Sequence, residues 1–160
     1  MKYVLQLFPW KWVLRLSIIT LLLLGILSFY GLYTDKFYFF KPDNYIFPLL
    51  SIIHFTFLYV MWFKIKENDL SDPPMRTLEY SLYVIVLVYL YKFFETVQIL
   101  ISYNEYENHV LPSSFFPIAI LIMSLQLLLL VLTLMTFKYR KVVIGQYIFD
   151  DMNQHVDSWK

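Results

Sequence analysis

The sequence predicts an all-α, polytopic membrane protein: an antiparallel bundle of four transmembrane helices followed by an amphipathic cytosolic helix. Of its 160 residues, 59% are hydrophobic and 21% are aromatic. A soluble domain of this length cannot keep so much apolar surface out of water. The apolar residues also fall into four stretches, each of about the 20 residues that a helix needs to cross ~30 Å of hydrocarbon. In lipid, helices satisfy their own backbone hydrogen bonds.

The four predicted spans lie at about residues 10–33, 45–64, 79–103 and 113–139. The first span has a basic start, but no small-residue cleavage site follows it, so we predict a retained helix and not a signal peptide. Asp72 and the two prolines after it predict a capped helix start before the third span. Short loops favour antiparallel neighbours. Residues 1–141 are therefore predicted to form one membrane domain.

The basic residues predict how the bundle is oriented. Ten of the 13 Lys and Arg residues fall on the side of the N-terminus, whereas Lys36 and Lys41 fall on the opposite side. Cytoplasmic loops are enriched in Lys and Arg, so both termini are predicted to be cytoplasmic. Trp10, Trp12 and Trp62 fall at the same predicted interface, where tryptophan anchors helices. The expected location is the inner (cytoplasmic) membrane of the cell, with an organellar membrane as the alternative.

Residues 142–160 are predicted to form an amphipathic tail outside the membrane. Its apolar residues recur every three or four positions, which is typical of one helix face. Helices that lie on a membrane surface usually have a basic polar face, whereas this polar face is acidic. We therefore expect the tail to dock onto a partner protein or back onto the bundle. The predicted docking residues are Ile144, Ile148, Met152, Val156 and Trp159.

Polar side chains within the spans are predicted to form one intramembrane cluster. Lys92 and Glu95 lie within about 6 Å of the middle of the third span, at about 1.5 Å per residue. A charge at this depth costs ~2.5–3.5 kcal/mol, and two opposite charges three residues apart can pair on one side of a helix. His54 lies at a matching predicted depth in the second span. The predicted cluster comprises His54, Lys92, Glu95, Gln98 and Gln126.

The third span also contains a regular seam. Its members recur at spacings of three and four residues, which is typical of a helix face that packs against other helices. We therefore expect this face, including Glu95, to point toward the other helices, with Lys92 beside it. The seam comprises Val84, Val88, Tyr91, Glu95, Gln98 and Ser102.

Several kinds of chemistry are excluded or unsupported by the sequence. The chain has no cysteine, so disulfides and thiolate catalysis are excluded. His54 and Ser51 have no third partner at the spacing of a hydrolase triad, and three glycines cannot form a phosphate loop. The nearly balanced charge does not favour nucleic-acid binding. We therefore predict no catalytic residue, no metal, no cofactor, and a protein that is not an enzyme.

Three functions fit these features. The leading hypothesis is a non-catalytic subunit, assembly factor or regulator of a larger membrane complex, which uses the seam and the tail to contact other membrane proteins or a second copy. It is favoured because the chain is too small to form a transport pathway alone. One alternative is a small oligomeric proton, ion or solute transporter or channel that uses Glu95 and His54. Another is a lipid- or quinone-binding protein with the polar cluster at the floor of a cavity.

Overall fold

A computed structural model describes residues 9–103, 111–145 and 147 of the chain. It is all-helical apart from a two-residue strand pairing in one loop. Each of the four long helices is long and apolar enough to cross a membrane, which confirms the predicted helical class and the four candidate spans. They are α1 (Trp10–Leu27), α2 (Ile46–Glu67), α3 (Pro73–Ile101) and α4 (Phe115–Tyr139), and α4 continues as a π-helical turn, Arg140–Ile144.

The connection between α2 and α3 is a tight, capped turn. Helix α2 ends at Asn68, whose left-handed conformation (φ 53°, ψ 37°) is one that asparagine tolerates. Helix α3 begins after Asp72, whose carboxylate accepts a hydrogen bond from the Met75 backbone N–H at 3.0 Å. The turn brings the carboxylates of Asp69 and Asp72 to 2.8 and 2.9 Å from Lys64 Nζ. The exposed Asp69 carboxyl therefore has a lowered pKa, mainly because of its hydrogen bond to Lys64.

The helices pack as a ring. Helices α1 and α3 each contact both α2 and α4. At one end, the Ser28 hydroxyl at the end of α1 donates to the carbonyl of Asn44, just before α2, at 3.1 Å. We call this the loop end, and the opposite end, where Glu79 of α3 meets Arg140, the clasp end. The apolar core between the ends includes Leu21, Leu24, Phe57, Leu58, Met61, Leu82, Ile85 and Leu129.

The loop from α1 to α2 folds over the loop end. Strands β1 (Tyr30–Gly31) and β2 (Lys36–Phe37) pair antiparallel, and a 3-10 helix (Pro42–Tyr45) leads into α2. A Cβ at Gly31 would collide with the ring of Tyr38, so this close approach requires glycine. The loop is therefore a defined cover over the space between the helices.

Only part of the predicted α3 seam faces the other helices. Val84, which is 63% exposed, and Gln98 lie on the outside of the described bundle. Val88, Tyr91 and Glu95 line a space between the helices. In a membrane span both faces of a helix are apolar, so a three-and-four spacing of apolar residues does not identify the buried face. The face that α3 turns inward comprises Met75, Glu79, Leu82, Ile85, Tyr89 and Thr96.

The beginning of the predicted tail belongs to the last helical turn. Residue 142, where the tail was predicted to start, lies inside the π-helical turn, and Ile144 in that turn is buried in the core of the bundle. Gly145 then reverses the chain with φ 98° and ψ −169°, a conformation that requires glycine. The other predicted docking residues lie outside the described residues. They are Ile148, Met152, Val156 and Trp159.

Candidate functional site

A cavity of about 780 Å³ lies between the helices at the loop end. All four helices contribute to its wall, and the loop between α1 and α2 covers it. Its volume falls within the range of about 300–1,000 Å³ that is typical of small-molecule sites. Much of the wall is apolar, with side chains such as Leu24, Leu27, Phe47, Ile99 and Ile122. The cavity is thus a mainly apolar space into which polar groups project.

A lysine–glutamate ion pair lies in this cavity. Lys92 Nζ is 2.7 Å from Glu95 Oε2, as the i, i+3 spacing on α3 allows. The two side chains are 32% and 42% exposed, and both line the cavity. One turn further along, the Thr96 hydroxyl donates to the Lys92 carbonyl at 3.0 Å. The pair is therefore held on one face of a regular helix, with its charged atoms partly uncovered.

Gln126 of α4 contributes a further polar side chain to the cavity. Its Oε1 atom is buried and has no hydrogen-bond partner among the residues that the structure describes. A buried acceptor without a donor costs about 1–3 kcal/mol. Because the atom has almost no accessible surface, a guest in the cavity does not contact it in this arrangement of the helices.

The cavity has balanced charge. Nearer the loop, Lys41 and Asp43 also line it, with Lys41 Nζ 3.9 Å from Asp43 Oδ2. In the described lining, two cations and two anions are therefore present. The cavity offers no net charge to a guest, but it offers both signs within a short distance.

His54 lies outside this cavity, in the apolar core. It is fully buried, and its Nδ1 is 3.3 Å from the Tyr89 hydroxyl, whereas its Nε2 has no partner in the described part of the chain. Tyr89 precedes Lys92 by three residues, about 4.5 Å along the helix axis at about 1.5 Å per residue. His54 thus lies at the level of Tyr89, about one turn nearer the clasp end than Lys92.

Gln98, the fifth residue of the predicted cluster, is exposed and does not line the cavity. The structure therefore brings Lys92, Glu95 and Gln126 together and leaves His54 and Gln98 apart from them.

A second polar cluster, which the sequence did not predict, lies at the clasp end. We call Glu79, Tyr83, Arg140 and Tyr147 the Glu79 clasp. Arg140 Nη2 is 2.6 Å from Glu79 Oε1, and the two residues are only 4% and 1% exposed. Tyr83 and Tyr147 donate hydroxyl hydrogen bonds to the same carboxylate at 2.9 and 2.6 Å. The carboxylate is therefore buried, paired and fully hydrogen-bonded.

The turn after α4 completes the clasp. Arg140 Nη1 donates to the Gly145 carbonyl at 3.2 Å, and its guanidinium carbon lies 4.3 Å from the centre of the Tyr147 ring. Burial and the hydrogen bond to Glu79 raise the pKa of Tyr147. The chain thus returns over the clasp end immediately after its last helical turn.

The sequence hides this cluster because Glu79 and Arg140 are 61 residues apart. Each looks like an ordinary charge at a membrane interface. One signal was available: Glu79 is spaced four residues after Met75 and three before Leu82, which places it on an apolar helix face.

Known proteins do not assign a function to this chain. No protein-family model matches it, and neither a curated protein nor a solved structure is significantly similar to it. Function is therefore inferred from the cavity and its polar groups.

Proposed function

We propose that this chain is a non-catalytic membrane protein that binds an amphipathic molecule in the cavity, with the polar end of that molecule on Lys92 and Glu95. The observation that carries this proposal is an ion pair that stays partly exposed within a membrane-length apolar helix. Charge facing hydrocarbon is costly, so something polar must cover the pair. A cavity of about 780 Å³ beside it has room for the polar part of a guest.

The arrangement in the membrane is part of the proposal. The helices cross in alternate directions, with both termini in the cytoplasm and the bundle in the inner membrane. Alternate crossing is supported by Ser28 beside Asn44 at one end, and by Glu79 beside Arg140 at the other. The excess of Lys and Arg at the clasp end supports the orientation. The cavity then lies in the outer half of the membrane.

Binding is favoured over transport by the core beneath the cavity. There, large apolar side chains are almost completely buried and close the space between the helices. His54, the proposed relay partner of Glu95, is enclosed in this core and does not reach the cavity. The closing side chains are Phe57, Leu58, Met61, Leu82 and Leu129.

The test is the lipid and quinone content of purified protein. Wild type is extracted from the membranes of its expression host in mild detergent, and bound lipid and quinone are quantified by mass spectrometry. We expect a molecule bound at about one per chain, and we expect the double variant Lys92→Met/Glu95→Gln to lose it. The control is Lys66→Met/Glu67→Gln, which removes an exposed pair on α2, 3.6 Å apart, outside the cavity.

Two results would refute the binding proposal. One is equal retention of the same molecules by wild type and the cavity double variant. The other is wild-type protein that carries no bound molecule at all.

A second function, a subunit of a larger membrane complex, is supported by the outward face of α3. Val84 and Gln98 are exposed on this face, and the Gln98 amide lies within a candidate span. Polar side chains in membrane helices commonly hydrogen-bond across to a neighbouring helix. A partner helix on this face would satisfy the amide.

The cysteine-free chain allows a direct test of the subunit function. Gln98→Cys should form an oxidative cross-link with a neighbouring chain in the membrane if that chain carries a cysteine at this face or is a second copy. Leu22→Cys on the exposed side of α1 is the matched control and should not cross-link. Equal cross-linking of the two variants would refute the subunit function. It would also be refuted if neither variant cross-links and the protein is a monomer in mild detergent.

A further inference from the structure

We infer that the guest of the cavity carries a zwitterionic head group in which a phosphate is joined to a primary ammonium, as in ethanolamine phospholipids. This inference rests on the proposed binding function and specifies its ligand. It follows from three features of the described lining: balanced charge, a partly exposed carboxylate, and a largely apolar wall.

Balanced charge selects against guests with a single charge. An anion near Lys92 also lies near Glu95, because the two charged groups are only 2.7 Å apart. Attraction to one is largely cancelled by repulsion from the other. A zwitterion avoids this cancellation by lying antiparallel to the pair, with its phosphate on Lys92 and its ammonium on Glu95. Lys41 and Asp43 near the loop add one positive and one negative charge, so the net charge of the described lining stays at zero.

The partly exposed Glu95 carboxylate selects the kind of cation. Glu95 is 42% exposed and lines the cavity, so a guest can reach its carboxylate. A primary ammonium has three N–H donors and can donate hydrogen bonds to this carboxylate. A quaternary ammonium such as choline has no N–H group and can make only a charge contact with Glu95. Ethanolamine head groups should therefore bind more tightly than choline head groups.

The apolar wall selects a lipid as the source of this head group. Leu24, Leu27 and Phe47 line one part of the cavity, and Ile99 and Ile122 line another. These side chains suit the glycerol region and the upper acyl chains, whose burial adds about 25 cal/mol per Å² of apolar surface. Free phosphoethanolamine has the same charges without this apolar part, so its binding should be much weaker.

The experiment compares head groups on one set of acyl chains. Full-length wild-type protein is delipidated in detergent, and its melting temperature is measured as phosphatidylethanolamine, phosphatidylcholine, phosphatidylglycerol or free phosphoethanolamine is added. We expect phosphatidylethanolamine to act at about tenfold lower concentration than phosphatidylcholine, the size of one well-made hydrogen bond to a charged group. Phosphatidylglycerol and free phosphoethanolamine should also need higher concentrations than phosphatidylethanolamine.

One variant and a control sharpen the result. Glu95→Gln leaves Lys92 without an anion, so it should reverse the preference in favour of phosphatidylglycerol. Glu67→Gln, an exposed carboxylate outside the cavity, should leave every ratio unchanged.

The outcomes separate this inference from the binding function itself. Wild-type protein that prefers phosphatidylglycerol, or that does not distinguish ethanolamine from choline, overturns the inference but leaves a lipid-binding cavity. Phosphoethanolamine acting as strongly as the whole lipid overturns the lipid source. If no lipid raises the melting temperature and none co-purifies with wild type, the binding function fails as well.

Discussion

Two ion pairs of this bundle, Glu79–Arg140 and Lys92–Glu95, have nearly the same length but different surroundings. Glu79 and Arg140 are 2.6 Å apart and almost completely buried, whereas Lys92 and Glu95 are 2.7 Å apart and 32% and 42% exposed. Two tyrosine hydroxyls donate hydrogen bonds to the Glu79 carboxylate, whereas the Lys92–Glu95 pair faces a cavity. Burial and hydrogen bonding, more than distance, separate a pair that holds helices together from one that can meet a ligand.

The energetic consequences differ for the same reason. Removing one member of a buried pair leaves the other charge without compensation, which costs about 3–5 kcal/mol. Pairs that are solvated or partly exposed contribute about 0–1 kcal/mol. The Glu79 clasp should therefore contribute more to the stability of the bundle, and the Lys92–Glu95 pair should contribute more to the binding of a guest in the cavity.

The largest expected effect is that of Glu79→Gln. This change keeps the shape of the side chain but removes the charge opposite Arg140, so the free energy of unfolding should fall by about 3–5 kcal/mol. Reversible unfolding in mixed detergent micelles, followed by helix content, measures the difference. The matched control, Glu67→Gln, removes an exposed carboxylate and should change the free energy by less than about 1 kcal/mol. A loss as small as that of the control would mean that the clasp is not a main source of stability.

The next effect concerns the tail. Tyr147→Phe keeps the ring over Arg140 but removes the hydroxyl that donates to Glu79 at 2.6 Å. Loss of a hydrogen bond to a charged group should lower the free energy of unfolding by about 1.5–3 kcal/mol. The same unfolding measurement applies. Tyr83→Phe tests the second hydroxyl on the same carboxylate. No change in either variant would contradict a stabilising role for the two hydroxyl hydrogen bonds to Glu79.

The contribution of Tyr147 should also depend on pH. Its pKa is raised in the folded protein by burial and by the Glu79 carboxylate. A raised pKa means that the contribution is complete below the unfolded value of about 10 and declines as the pH rises beyond it. The stability difference between wild type and Tyr147→Phe should therefore be constant from pH 7 to 9 and shrink above about pH 10. A difference that grows with pH would contradict this assignment.

The smallest expected effect on stability is that of Lys92→Met/Glu95→Gln. Both charges are removed together, so none is left unpaired, and the free energy of unfolding should change by less than about 1 kcal/mol. The measurement is unfolding of delipidated protein, so that lost ligand does not contribute. Destabilisation as large as that of Glu79→Gln would make this pair a structural clasp.

Local features of the fold were predictable from the sequence. The four spans follow from the length of the apolar stretches, and the start of α3 follows from Asp72, which indeed accepts a hydrogen bond from Met75. The approach of Lys92 to Glu95 follows from a spacing of three residues on one helix. Each of these depends on residues that are close in the chain.

Contacts between helices were not predictable in the same way. Glu79 and Arg140 each resemble an interfacial charge, and only the packing of α3 against the end of α4 makes them partners. The buried face of α3 was also misassigned in part, because in lipid an apolar outer position such as Val84 resembles a core position. The separation of His54 from Glu95 depends likewise on how α2 and α3 are rotated against each other.

The central claim is that the cavity pair serves binding and the Glu79 clasp serves stability. The most direct test measures melting temperature and bound lipid per chain on the same preparations of wild type, Lys92→Met/Glu95→Gln and Tyr147→Phe. We predict that, once delipidated, the cavity variant melts like wild type but purifies without the bound lipid, whereas Tyr147→Phe melts at lower temperature and keeps it. If the cavity variant keeps the lipid, or if Tyr147→Phe loses it without a change in melting temperature, the claim is contradicted.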